Sequence, residues 1–155
     1  MVLRYTKATA IFSKDGAKRY QLYREWDATK KTILFVLFNP STASATQDDP
    51  TLRRLVGFAA SWGFGSVLVG NLYPHCSRSP KKVPHLGVYD PKNNAQVAAM
   101  CTRVATVVYA WGQNHPAPKW LTALVTSPKV IALTKAGLPK HPLYLPATTQ
   151  LQDYL

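Results

Sequence analysis

Ile33-Leu34-Phe35-Val36-Leu37-Phe38-Asn39-Pro40-Ser41-Thr42-Ala43 is the stretch that decides the fold. Its six apolar residues, 33–38, read as a strand buried on both faces, as in the interior of a parallel sheet. The run stops at the polar turn that Asn39-Pro40 opens. Asp48-Asp49-Pro50-Thr51 then carries the marks of a helix start, a carboxylate cap and a proline in the first turn. In open α/β sheets ligands bind beyond the carboxyl ends of the strands. Asn39, Ser41, Thr42 and the two aspartates therefore stand where chemistry is expected. The plainer reading of the same residues is a turn followed by a helix cap.

Upstream, residues 4–12 and 18–25 alternate in polarity around Ser13-Lys14-Asp15-Gly16-Ala17, and Asp-Gly between such runs predicts a β-hairpin. Downstream, the spacing of Leu52, Leu55, Val56, Ala59 and Ala60 predicts a helix from residue 49 or 50 to about 62, closed by Gly63. Residues 66–72 read as a second buried strand that reaches Asn71. A loop rich in Pro and basic residues spans 73–89, and Asp90-Pro91 opens a helix through Cys101. Residues 104–110 form a third strand, running into Trp111-Gly112-Gln113. A short helix over 117–125 leads to a fourth strand, 129–133, and then to a loop carrying Lys140, His141 and Tyr144.

Strand–helix alternation calls for a parallel sheet with right-handed crossovers. The expected architecture is one α/β domain over residues 1–155. An N-terminal hairpin (1–28) precedes a core (30–150) of four parallel strands flanked by helices. Parallel strands bring their carboxyl ends to one edge, so Asn39, Asn71, Trp111 and His141 should meet there.

Composition narrows the partners. Nineteen Lys and Arg stand against seven Asp and Glu, a net charge of +12. Such an imbalance favours nucleic acid, because phosphate contacts release counterions. The basic residues are scattered in pairs such as Lys30-Lys31, Arg53-Arg54 and Lys81-Lys82, so any basic face must be assembled by folding. Cys76 and Cys101 lack metal-ligand spacing and suit a reducing compartment. The first residues lack a signal-peptide core and no stretch is long enough to span a membrane. A cytoplasmic monomer is the expectation. The chain lacks a triphosphate-binding loop, a dinucleotide fingerprint, a zinc pattern and a Gly-x-Ser-x-Gly elbow, so neither cofactor nor metal is expected.

The expected edge is chemically rich. The Asn39 and Asn71 amides can read a base edge or hold a water. His141 can donate a hydrogen bond. Either Asp48 or Asp49 can act as a base, the other as a cap. Ser41 and Thr42, with the helix start, can bind phosphate. Tyr73, Trp111 and Tyr144 can stack on a ring. Arg53, Arg54, Lys135 and Lys140 supply positive charge.

Phe38-Asn39-Pro40-Ser41-Thr42-Ala43, Asp48-Asp49-Pro50-Thr51, Asn71-Leu72, Ala110-Trp111-Gly112 and His141-Pro142-Leu143-Tyr144-Leu145-Pro146 resemble the motifs of an uncharacterised bacterial and phage domain family, over about residues 30–150. Their order further resembles the uracil-DNA glycosylase superfamily, and within it the mismatch-specific branch, whose first turn carries Asn. Leu37 stands where the superfamily has Gly, and Leu143 where Ser follows its His-Pro pair.

The resemblance implies a three-layer glycosylase-like fold and hydrolysis of the N-glycosidic bond of a modified or mismatched base flipped from DNA. It implies that Asn39 orients water, with Asp48 or Asp49 as base or electrostatic stabiliser. Asn71 would read the base, His141 would stabilise it as it leaves, and Tyr73 or Tyr144 would stack on it. Pro40, Ser41, Thr42, Arg53, Arg54, Trp111 and Lys140 complete the expected nucleic-acid-binding set. Two other functions fit the same residues: a non-catalytic nucleic-acid-binding module, and an enzyme acting on free nucleosides or nucleotides.

Overall fold

A computed structural model describes residues 3–79 and 89–154. The Lys81-Lys82 pair and most of the expected basic loop lie outside the described residues. The chain begins with strands β1 (Lys7–Phe12) and β2 (Arg19–Glu25), paired antiparallel. The Asp15 carboxylate accepts from Ser13 Oγ and from the Ala17 amide, and Gly16 supplies the positive φ of 74°. Strand β3 (Thr32–Leu37) is the decisive apolar run, with residues 33–37 buried.

Helix α1 (Pro50–Ser61) starts at Asp49, whose side chain accepts from the Leu52 amide, and stops at Trp62. It buries Leu52, Leu55, Val56, Phe58 and Ala59, one stripe at helical spacing. Strand β4 (Ser66–Asn71), helix α2 (Pro91–Cys101) and strand β5 (Thr106–Tyr109) follow. The one-turn helix α3 (Lys119–Thr122) and the two-residue strands β6 (Lys129–Val130) and β7 (Gln152–Asp153) complete the order.

The sheet corrects the expected architecture. It is one mixed sheet of seven strands in the order β1-β2-β4-β3-β5-β6-β7, not a four-stranded parallel sheet with a hairpin set apart. Three of its six pairings are antiparallel: β1 with β2, β2 with β4, and β6 with β7. The other three, β4 with β3, β3 with β5 and β5 with β6, are parallel. The hairpin is part of the sheet because β2 continues the ladder of β4, with Leu22 opposite Val69 and Arg24 opposite Val67. The fourth expected strand contracts to Lys129–Val130. Beyond Ile131 the chain turns back on itself, through a bridge between Leu133 and Pro139.

Two apolar clusters form, one on each face of the sheet. Ile33, Phe35, Leu37, Val67 and Val69 pack with Leu52, Leu55 and Phe58 of α1. Leu34, Val36, Leu68 and Tyr109 pack with Val97 and Met100 of α2 and Leu121 of α3. Odd and even residues of β3 thus serve opposite clusters, which is why the run is apolar without a break. Gly70 allows α2 to approach, since a Cβ there would lie 2.7 Å from the Met100 methyl. Among the described residues no helix is long and apolar enough to cross a membrane.

Candidate functional site

A cavity of about 600 Å³ opens beyond the carboxyl end of β3. That size suits a small-molecule ligand or one nucleotide. Phe38, Asn39, Ser41 and Thr42 line it from the β3 turn, and Asp49, Pro50 and Thr51 from the start of α1. Arg19 comes from β2, Ser77 and Arg78 from the segment after β4, Trp111 and Gln113 from beyond β5, and His141 and Leu143 from the last loop.

The Asn39 amide is fixed by its own turn. Its Nδ2 donates to the carbonyls of Pro40, His75 and Ser77, at 3.1, 3.3 and 3.0 Å. With the nitrogen tied to backbone, Oδ1 is the atom left for a ligand or water. Asp49 is buried. Its Oδ1 accepts from the Leu52 amide at 2.8 Å and its Oδ2 from the Ala43 amide at 3.1 Å. It therefore caps α1 and anchors the turn at once.

His141 has a defined tautomer. Its Nδ1 accepts from the Leu143 amide at 3.2 Å, so in the neutral ring the proton sits on Nε2. Burial pushes its pKa below the usual histidine value, against a smaller upward pull from Asp49. At neutral pH the ring is uncharged and offers one N–H donor.

The backbone next to it is strained. Gly112, Gln113 and Asn114 have φ of 69°, 61° and 46°. A Cβ on Gly112 would stand 3.1 Å from the His141 Cβ and 3.4 Å from its nitrogen. Left-handed residues other than glycine concentrate at functional sites. Trp111 is fully buried, its Nε1 donating to the His115 carbonyl at 2.6 Å and its ring 4.6 Å from that of Tyr109. It is wall, not an open stacking platform.

Of the residues named from sequence, Asn39, Ser41, Thr42, Asp49, Trp111 and His141 come together around this cavity. The others lie elsewhere. Asp48 turns the opposite way from Asp49: it pairs with buried Arg24 at 3.0 Å and accepts from the Tyr5 hydroxyl at 2.6 Å. Burial, reinforced by that carboxylate, raises the Tyr5 pKa. Asn71 is 1% exposed and is not part of the cavity wall. Neither atom of its amide has a partner among the described residues, while its backbone carbonyl accepts from Asn93 Nδ2.

Tyr73 bonds His115 at 3.2 Å and packs edge-on against Phe38, beside a second, smaller hollow. Arg54 lies over the Phe58 ring, and exposed Arg53 reaches back toward the Asp48 carbonyl. Pro40 is buried, its carbonyl accepting from the Ser77 amide. Lys140 and Tyr144 are exposed, Tyr144 by 97% with a φ of 69°.

Arg19 is the lining residue that sequence reasoning missed. It is 3% exposed, donates from Nη1 to the Ala43 carbonyl at 3.0 Å, and leaves Nε without a partner among the described residues. Burial lowers its pKa to about 10, opposed by Asp49. In the sequence it is one cation in an alternating strand, and alternation assigns charge to the solvent face. Gln113, Ser77 and Arg78 carried no signal either.

Among the described residues no group of three His, Cys, Asp or Glu side chains could hold a metal ion. Both cysteines are free thiols.

The described residues form an α/β domain with a polar-lined cavity at a strand-end edge. The chain belongs to the DUF1643 family, described as a protein of unknown function, which matches residues 19–143. No curated protein and no solved structure matches the chain.

Proposed function

We propose that the cavity binds a nucleobase with its sugar and hydrolyses the N-glycosidic bond between them, on a modified or mismatched base presented by DNA. The observation that carries this reading is the meeting of Asn39, Asp49 and His141 on one cavity of about 600 Å³. The three come from three separate chain segments and supply an acceptor, a fixed negative charge and a neutral donor.

In this reading water, oriented by Asn39 Oδ1, adds to C1′ as the C1′–N bond breaks. The bonding pair leaves with the base, and the proton lost by water ends on it. His141 Nε2–H donates to the base as negative charge develops there. Asp49, with both oxygens already held by backbone amides, opposes the positive charge on the sugar rather than taking a proton. Asp48 is left out, since its carboxylate serves Arg24 and Tyr5. The net charge of +12, with Arg78 exposed beside the cavity, supports a nucleic-acid partner.

The test is a panel of oligonucleotides carrying uracil, thymine mismatches, alkylated and hypermodified bases, scored for abasic sites. Release from at least one, lost in Asn39→Ala and His141→Ala, is the expected result. Removing a donor such as His141 Nε2–H typically lowers the rate about 100-fold or more. Binding to the whole panel without release would instead make the protein a nucleic-acid-binding module. Release only from free nucleosides would make it a small-molecule enzyme.

A further inference from the structure

We infer that the cavity contains an oxyanion subsite built on Arg19, and that the ligand brings a nucleotide phosphate to it. The inference takes the cavity as the ligand site, as in the proposed function, but does not depend on which bond is broken.

Arg19 opens β2 and is almost wholly buried. One of its N–H groups is used, by the Ala43 carbonyl, and its Nε has no partner among the described residues. None of the four ion pairs formed by the described residues includes it. Asp49 is close enough to be felt electrostatically, yet it forms no ion pair with Arg19, and its oxygens are engaged by Ala43 and Leu52. A buried cation without a paired anion is unfavourable, and a protein keeps one where a ligand completes it.

The guanidinium stays charged at neutral pH, because even the lowered pKa stands near 10. Its forked donors match phosphate geometry. The surroundings have the same preference. The first turn of the twelve-residue helix α1 faces the cavity at Pro50 and Thr51. There the macrodipole favours an anion, although Pro50 has no N–H and the Leu52 and Arg53 amides are already held by Asp49. The Ser41 and Thr42 hydroxyls line the same wall, and Arg78 adds a second, exposed guanidinium. Asn39 and His141 line the same cavity and remain available for a base.

Calorimetric titration tests this with the four deoxynucleosides, their 5′-monophosphates, inorganic phosphate and a thymidine trinucleotide. At least one monophosphate should bind the wild type roughly 10-fold or more tighter than its nucleoside, the effect of a charge-assisted bond. Arg19→Met should abolish that difference, the comparison being between nucleoside and monophosphate on the same variant. Arg19→Lys keeps the charge without the fork and should retain part of the preference. Should the methionine variant fail to fold, the lysine variant is read alone, and its preference must fall.

Tighter binding of the trinucleotide than of any monophosphate would assign the subsite to a strand phosphate rather than a free nucleotide. Equal affinity for nucleoside and monophosphate, or a preference surviving Arg19→Met, would overturn the subsite and leave the proposed hydrolysis standing. A phosphate preference in a protein that releases no base would do the reverse. Binding of no probe at all would overturn the subsite too.

Discussion

Gly112→Ala probes how the chain holds His141. Gly112 has a φ of 69°, where an L side chain costs about 1–2 kcal/mol. The added Cβ would also stand 3.1 Å from the His141 Cβ and 3.4 Å from its backbone nitrogen. These neighbours belong to a loop closed by Pro142, so the crowding adds about 1 kcal/mol or more. Gly137→Ala is the control: its φ is 78°, but its Cβ would meet nothing within 4 Å. It should lose only the left-handed term, about 1–2 kcal/mol. Urea denaturation of both variants isolates the crowding as their difference. For a domain of this size each kcal/mol also lowers Tm by about 2–4 °C. The His141 ring proton shifts should move in Gly112→Ala and stay put in Gly137→Ala. Equal losses in the two variants, with an unmoved imidazole, would refute the claim that the 112–114 turn sets the position of His141.

The two adjacent aspartates should separate cleanly. Asp48→Ala removes the anion paired with buried Arg24, which keeps the carbonyls of Tyr23, Ser44 and Gln47, and should cost about 2–3 kcal/mol by denaturation, less than a fully buried pair because Asp48 is partly exposed, with base-release kinetics intact in the folded protein. Asp49→Asn keeps the helix cap to Leu52 but sets an NH2 group against the Ala43 amide, so it should cost about 1–3 kcal/mol by denaturation while base release in the folded protein falls. The pKa of His141 is lowered on folding, so its contribution to stability is complete above the unfolded value near 6.5 and is lost as pH falls through the folded value. The stability of the wild type relative to His141→Gln should therefore be flat above that pH and decline below it, measured by denaturation at several pH values. Affinity for DNA should fall steeply as salt rises, by fluorescence anisotropy, and an affinity indifferent to salt would remove the nucleic-acid partner.

Much of the chain was legible because periodicity reports burial. The unbroken run at residues 33–38, the caps at Asp49 and Asp90, and the Asp-Gly turn each specify local structure through their own chemistry. Sheet order was not legible, because no local signal says that β2 will extend the ladder of β4. Placing the hairpin apart from the core followed from that. The site was partly legible, since strand ends predict an edge but not which way each side chain turns. Asp48 and Asp49 share a sequence signal, yet one faces Arg24 and the other the cavity. Asn71 ends a strand just as the Asn39 turn does, but its amide lies in the interior. Arg19 and Arg24 were invisible because the pattern sends cations to solvent, and both are buried where tertiary contacts hold them.

The most direct test of the central claim is a crystal structure of the protein soaked with free nucleobases. A base held in the cavity, with its edge toward Asn39 Oδ1 and within hydrogen-bond distance of His141 Nε2, is the predicted result. A base bound only outside the cavity, or a cavity that takes none at saturating concentration, would contradict it.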